Sequence, residues 1–357
     1  MKVTVVPGGE LARDQVARWS AIQAATPSLA SPYFAPEFTQ VTAATREDVE
    51  VAMLEDDAGV LGFFPFQRGR SGVGQPVGGR MSDFQGVIAP EAATWDGQGL
   101  VRACGLSAWR FDHLVASQGP MRRFHWDEAP SPYLDVSGGF EAYRQQRRQA
   151  GSKEIEKILY EARKAERRVG PLRFELHTPD DAVFGTLLRW KAQQYRATGQ
   201  PDMTAVPWVV RFLDRLRHER GEGFSGLLSA LHLGDRLAAV HLGMRSPTVL
   251  HYWLPAYDPE LAAFSPGQLL LVELARAVAS QGVLRIDLGK GEEPYKTRLM
   301  SGAIPVAEGA VDVRLTAGAV GRSWFRLQSW ARRSPLRRPL LGPARWLRRR
   351  LAPRTLG

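Results

Sequence analysis

The sequence predicts an α/β (α+β) protein: two tandem, similar halves, each a mixed and mostly antiparallel sheet flanked by helices, followed by a basic amphipathic tail. Three observations predict it. β-prone runs alternate with amphipathic helical runs along the chain. Each half holds a hairpin with an acidic-glycine turn: 49–54 and 60–66 flank Glu55-Asp56-Asp57-Ala58-Gly59, and 224–233 and 236–245 flank Gly234-Asp235. The charge is also uneven. The 357 residues carry a net +10, but residues 313–357 hold twelve arginines, no lysine and no acid, so subtracting 12 from 10 leaves −2 for residues 1–312. The basicity belongs to an appendage, and the body does not read as a nucleic-acid binder.

With 44% hydrophobic and 24% charged residues the chain is neither mostly disordered, nor a collagen, nor a coiled coil. No apolar run approaches the ~18–20 residues that cross a bilayer. The opening MKVTVVPGGE does not read as a signal peptide. Cys104 is the single cysteine, which excludes an internal disulfide and a cysteine-based zinc site, and a cytosolic protein without metal is expected.

In order, the first half reads as a short strand at 3–6, a helix over 11–24, the first hairpin, an exposed glycine-rich loop over 68–79, a strand at 84–88, a helix near 95–107, and strands at 111–115 and 133–136. From 152 to 169 an apolar face of Ile155, Ile158, Leu159, Ala162, Ala165 and Val169 opposes Lys, Arg and Glu, and Gly170-Pro171 stops that helix. A strand at 172–177, helices over 180–197 and 207–219, and three antiparallel strands at 224–233, 236–245 and 248–257 follow. Ser265-Pro266-Gly267-Gln268 has capping-box spacing with proline at the first helical position, and Gly282 ends that helix. A strand at 283–288, a short segment at 293–300 and a last strand at 305–314 complete the body. The expected division is 1–145, 146–314 and the tail 315–357.

Three places could carry chemistry. The helix start at Ser265 exposes amide hydrogens suited to a phosphate, with Gly267 allowing close approach; the same pattern serves a plain cap. Asp287 ends a buried strand, and Gly289 and Gly291 then bring round Tyr295 and Lys296, as at many ligand sites of α/β sheets; equally, Asp287 could cap the next turn and Tyr295 could pack. On the 248–257 strand, alternation puts His251 and Trp253 on one face and Tyr252 on the other, and His251 could serve as a general base or sit as a satisfied core residue, as could His241. There is no G-x-x-x-x-G-K-[ST] loop, no H-E-x-x-H and no G-x-S-x-G elbow.

The charged helix 152–169, the hairpin 227–244, Tyr257-Asp258-Pro259-Glu260, Ser265-Pro266-Gly267-Gln268-Leu269-Leu270, and Asp287-Leu288-Gly289-Lys290-Gly291 with Tyr295-Lys296-Thr297-Arg298 follow one another in this order. The series resembles the CelD-type (cellulose-biosynthesis) branch of the GNAT acyltransferase superfamily, related to the Fem-type peptidyltransferases that carry two GNAT-like domains in tandem. The match covers about residues 150–310 well and 1–145 loosely. The resemblance implies a sheet that splays between the 248–257 and 283–288 strands. It implies an acyl-CoA whose pyrophosphate meets Ser265, Gly267, Gln268 and Leu269, and direct transfer of the acyl group to an amine. Asp287 or His251 would take the amine proton, Tyr295 would protonate the leaving thiolate, Lys296 would neutralise a phosphate or oxyanion, and Tyr252, Trp253 and Arg298 would contact substrate. The usual glycine-rich pyrophosphate loop is absent, which leaves an aminoacyl-tRNA, the Fem-type donor, open. The implied acceptor is an amine on a sugar or lipid-linked envelope precursor, and a non-catalytic accessory protein of polysaccharide export is the alternative.

In the tail, Val320, Trp324, Leu327 and Ala331 share one helical face opposite Arg322, Arg326 and Arg333, and Trp346, Leu347 and Leu351 lie among further arginines. This pattern suits an anionic membrane surface, a helix packed on the body, or a tRNA partner.

Overall fold

The computed structural model describes residues 2–57, 59–291 and 293–314. The amphipathic tail expected over 315–357 lies outside them.

The first half runs β1 (Lys2–Pro7), α1 (Arg13–Ala25), α2 (Pro36–Ala43), the hairpin β2 (Val49–Asp56) and β3 (Gly59–Arg68), a short β4 (Val73–Gln75), α3 (Gly97–Ala103), β5 (Ala108–Val115) and β6 (His125–Asp135). Helices α4 (Phe140–Gln149) and α5 (Glu154–Arg168) lead into β7 (Leu172–Glu175), α6 (Asp181–Thr198), α7 (Pro207–His218), the hairpin β8 (Ser225–Leu233) and β9 (Arg236–Arg245), then β10 (Val249–Tyr257), α8 (Pro266–Ala279), β11 (Arg285–Asp287), α9 (Pro294–Leu299) and β12 (Gly302–Asp312). Both halves therefore repeat strand, two helices, hairpin, further strand, helix, strand.

Among the described residues all twelve strands join one sheet, in the order β1-β2-β3-β4-β5-β12-β6-β11-β10-β9-β8-β7. Each half places its last strand in the other: β12 lies between β5 and β6, and β6 lies between β12 and β11. Only β4–β5 and β10–β11 are parallel; every other pair is antiparallel. The position between residues 145 and 146 falls inside α4.

Helix α8 is apolar on nearly every side, because it is sandwiched between the β8–β10 sheet and α4 and α5. Leu269, Leu270, Leu271, Leu274 and Val278 bury completely there with Ile155, Ile158, Leu250 and Ile286. A second core on the opposite face joins α1 and α2 to α6 and α7 through Trp19, Phe38, Leu187 and Phe212. Cys104 sits in a third core, where burial pushes its thiol up to about 12, so it has no tendency to react.

Several boundaries differ from expectation for local reasons. Residues 84–88 form isolated bridges, Phe63 to Ile88 and Gln85 to Leu114, instead of a strand. The Gln118 side-chain amide takes the place of a neighbouring strand, accepting from Val87 N at 3.0 Å and donating to Val87 O at 2.7 Å. The helix expected over 95–107 is only α3, because Asp96 caps its start and Gly105 turns left-handed behind it. The loop over 68–79 contains β4, which pairs with β3 and β5.

Candidate functional site

Strands β10 and β11 run together for only three pairs, Val249 with Arg285, Leu250 with Ile286 and His251 with Asp287. Beyond Asp287 the chain leaves β10: Leu288 N donates to Pro132 O of β6 at 2.9 Å, and Gly289 turns left-handed with φ 72°. Residues 252–257 of β10 therefore have no strand on that side among the described residues, and the sheet opens at His251 and Asp287. Lysines lock the glycine loop in place. Lys296, buried, donates to Gly289 O at 3.3 Å and Lys290 O at 3.4 Å and pairs with Glu293 at 3.1 Å, while Lys290 reaches Asp112 O of β5 at 2.7 Å. Lys296 thus serves as a brace of the loop.

His251, at the apex, has no exposed surface; its Nε2 lies 2.9 Å from Oδ2 of Asp83, and its Nδ1 has no partner among the described residues. Asp83 comes from the first half of the chain, in the loop before the 84–88 bridges. Burial pushes its carboxyl up, but the hydrogen bond and charge of His251, helped by His113 and Lys296, outweigh that and hold it below the ordinary range. Its position is deep although 23% of the side chain still meets solvent. Its other oxygen is 3.9 Å from His113, which pairs with Asp112 at 3.0 Å. A Cβ at Gly289 would stand 2.7 Å from Oδ2 of Asp83, so the left-handed glycine also makes room for that carboxylate. Tyr33 closes edge-on against the His251 ring at 4.9 Å, with Phe84 at 6.2 Å.

Asp287 is completely buried and engaged by Arg285, Nε to Oδ1 at 2.7 Å. Burial raises its pKa in spite of Arg285 and His251, which pull the other way. Arg285 thus holds the Asp287 carboxyl in one orientation next to His251.

Just past the apex β10 bulges: His251 pairs with Met244 and Leu254 with Leu242, so two residues face one. His241 fills the irregularity. Its Nε2 accepts the Trp253 N–H at 3.3 Å, its ring stacks on Tyr252 at 4.5 Å, and burial, with the nearby charge of His251, pushes its pKa down to about 3. His241 therefore stays a neutral acceptor that sets the backbone of β10.

The α8 start departs from the expected capping box. Ser265 is the single non-glycine residue with positive φ among the described residues (51°), and its side chain makes no cap bond. Its carbonyl instead takes the amides of Gln268 (3.0 Å) and Leu269 (3.1 Å). Of the four residues expected to meet a donor, Gln268 and Leu269 have their amides closed on Ser265 O and Ser265 has its own on Ala262 O, so only the Gly267 amide is outside this turn; the Leu269 side chain is in the core. A left-handed L-residue costs about 1–2 kcal/mol. Ser265→Gly is therefore expected to raise the unfolding free energy read from urea titration by up to about 1 kcal/mol, and Ser265→Ala to leave it within about 0.5 kcal/mol. A loss of the ~1 kcal/mol typical of a broken cap in the alanine variant would show that the side chain caps after all.

Tyr252, on the α8 side of the sheet, donates to Gly267 O at 3.0 Å. Its pKa is driven up by burial and by the neighbouring Tyr295, and burial, with Glu293, also drives Tyr295 up. Both hydroxyls stay protonated at neutral pH. Trp253 lies on the opposite face from Tyr252, edge-on to Tyr33 (6.2 Å) and Phe212 (6.1 Å), as alternation predicts. Arg298 stands apart: it is exposed and 3.5 Å from Glu154 at the start of α5.

The site thus gathers His251, Asp287, Tyr295, Lys296, Tyr252, Trp253 and the Ser265–Gly267 turn, and leaves out Arg298. Sequence reasoning missed Asp83, His113, Tyr33 and Arg285. Arg285 had a signal, two residues before Asp287 on the same strand face; the other three come from the first half with none.

Residues 152–297 match the acetyltransferase (GNAT) domain profile. No curated protein matches the chain. Among solved structures it is similar to that of FemX (10% identity, TM-score 0.60, covering 90% of this chain and 99% of that one). It is also similar to a C-terminal domain from Agrobacterium fabrum named for a lysylphosphatidylglycerol synthetase (10%, 0.54, 88% and 97%), and to a tandem GNAT protein from the clavulanic acid biosynthesis pathway (12%, 0.50, 88% and 100%). At these identities what is shared is the fold, and it extends over both halves. The profile match gives the chain a GNAT-type N-acyltransferase domain. Among the described residues no helix is long and apolar enough to cross a membrane.

Proposed function

With an acetyltransferase (GNAT) domain over residues 152–297 as the premise, we propose that this chain transfers an acyl group from a CoA thioester to an amine at the opening between β10 and β11, with the His251–Asp83 pair as the proton acceptor. The acceptor we propose is an amine of a cell-envelope or exopolysaccharide precursor, in keeping with the CelD-like resemblance. The work is done in the cytoplasm, at the inner membrane face if residues 315–357 bind anionic lipid.

The single observation that carries the reading is the pairing of His251 with Asp83 where the strands part. Asp83 accepts from Nε2–H, which fixes the tautomer and leaves the Nδ1 lone pair as the base. His251 takes the amine proton, directly or through water, as the C–N bond forms and the C–S bond breaks; the carboxylate of Asp83 stabilises the imidazolium. Tyr295, kept protonated by burial, gives its proton to the leaving thiolate. The residues fit a CoA donor in three respects: the unpaired edge 252–257 can take its amides, Gly267 lies at the helix start, and Tyr295 is close to Tyr252 beside it. Holding donor and amine together supplies much of the rate.

A thermal-shift series with CoA, acetyl-CoA and longer acyl-CoAs tests this. At 100 times its Kd a donor stabilises by about 2.7 kcal/mol. A flat response to every thioester would contradict a CoA donor. One observation favours a second donor, an aminoacyl-tRNA as in Fem-type enzymes: the amides of Gln268 and Leu269 are closed on Ser265 O, leaving a reduced phosphate cradle. A protein with neither donor would be a non-catalytic accessory with the same fold.

A further inference from the structure

Lys191 of α6 is 8% exposed, yet burial is the single influence on its ammonium and no carboxylate pairs with it among the described residues. Its ammonium donates to two neutral oxygens, Gln194 Oε1 at 2.9 Å and Pro255 O at 3.4 Å, and has Tyr195 at 5.3 Å from ring centre to Nζ. An ammonium has three donors, and two of them have acceptors among the described residues. Burial alone pulls the pKa of Lys191 down to about 8, with no charge of either sign to offset it. A buried cation without a counter-ion is costly, and perturbed groups of this kind cluster at functional sites.

Its location is as informative as its isolation. Pro255 belongs to the stretch of β10 that has lost its neighbour. Helix α6 packs on β9 and β10 over the core that also holds Tyr33 and Phe212, the rings against which Trp253 stands. The hydroxyl of Tyr195, one turn on from Lys191, is pushed up by burial, then by the charge of Asp202 and, less, by that of Asp83. Lys191 and the His251–Asp83 pair therefore share one side of the sheet, the side opposite α8. That is the side left for the acceptor if the donor's phosphates meet the start of α8.

We propose that Lys191 binds an oxyanion, carboxylate or phosphate, carried by the acyl acceptor, so that the amine substrate is an anionic molecule. This rests on the reading of the opening as a transferase site. Lys191 fixes the far end of the acceptor and leaves the amine to His251; it takes no part in proton transfer.

The test uses thermal unfolding of the full chain at constant chloride, with inorganic phosphate, malonate and CoA as separate probes. In the wild type a saturable rise in Tm of about 2 °C or more is expected with phosphate or with malonate. Lys191→Met is expected to abolish that rise, Lys191→Arg to keep part of it, and both to keep the response to CoA. Phosphate alone would indicate a phosphorylated acceptor and malonate alone a carboxylated one. Equal anion responses in wild type and Lys191→Met, or none in either, would overturn the proposal. A Lys191-dependent anion response without any CoA response would instead overturn the CoA-donor reading and leave the anion subsite standing.

Discussion

Asp83→Asn is expected to lower kcat by about 10²-fold or more while leaving the KM for the acyl donor close to wild type. General-base catalysis is worth roughly 10²–10⁴ in rate, and Asp83 contributes to it in two ways. It holds the proton on Nε2 of His251 at 2.9 Å, and its charge stabilises the imidazolium once Nδ1 has been protonated. Asparagine keeps the size and can still accept a hydrogen bond, but it supplies no charge and can present its NH₂ group to the ring, favouring the wrong tautomer. His251→Gln should give a loss of similar size, and the double variant little more than either single one, because the two groups act as a unit. Steady-state kinetics of the three variants would check this; two independent, additive losses would break the pair apart.

The same carboxylate leaves a signature in stability. The native pKa of Asp83 lies below its unfolded value. Its contribution is therefore fully present above the ordinary carboxylate pKa of about 4, and it fades as pH falls through the lower native value. The difference in urea midpoint between wild type and Asp83→Asn should accordingly narrow from pH 7 to pH 3.5. A difference that stayed constant or widened would contradict the ionised pairing.

The second large effect belongs to Gly243, opposite the bulge in β10. A Cβ there would lie 2.4 Å from the backbone oxygen of His251 and 2.5 Å from the His241 ring. The first obstacle is main chain and the second is the ring that holds the Trp253 amide, so neither can yield cheaply. Gly243→Ala is expected to cost about 2–4 kcal/mol, at the upper end of what overpacking costs, and to lower the thermal midpoint by several degrees. Activity should fall further than stability accounts for, since the displaced atoms are those of His251 and the bulge. A stable, fully active Gly243→Ala would show that the geometry of β10 beyond His251 does not matter to the reaction.

The element order was legible because local signals carry it. In the second half, the helices expected over 152–169, 180–197 and 207–219, the Gly234-Asp235 hairpin and the three antiparallel strands all fall within a residue or two of their observed bounds. The candidate residues His251, Asp287, Tyr295 and Lys296 were legible for the same reason: each sits at a strand end or beside a glycine turn that a single segment reveals. What brings Asp83 to His251 is not local. They are 168 residues apart, and they meet because β6 and β12 change places across one sheet, which no periodicity within a window reports. The capping box failed for another reason: Ser265 turns left-handed, so its carbonyl does what spacing assigned to its side chain. Arg298 had motif spacing in its favour, but α9 is a short helix whose outer side faces α5.

Photocrosslinking locates the acyl donor, which we place in the opening between β10 and β11. An acyl-CoA with a diazirine in its acyl chain, irradiated with the full-length protein and mapped by peptide mass spectrometry, should mark residues 251–257 and the segment around Tyr295, with labelling suppressed by excess CoA. Labelling confined to β1–β5 or to the arginine-rich end, or insensitive to CoA, would place the donor elsewhere and rule out a transferase site at this opening.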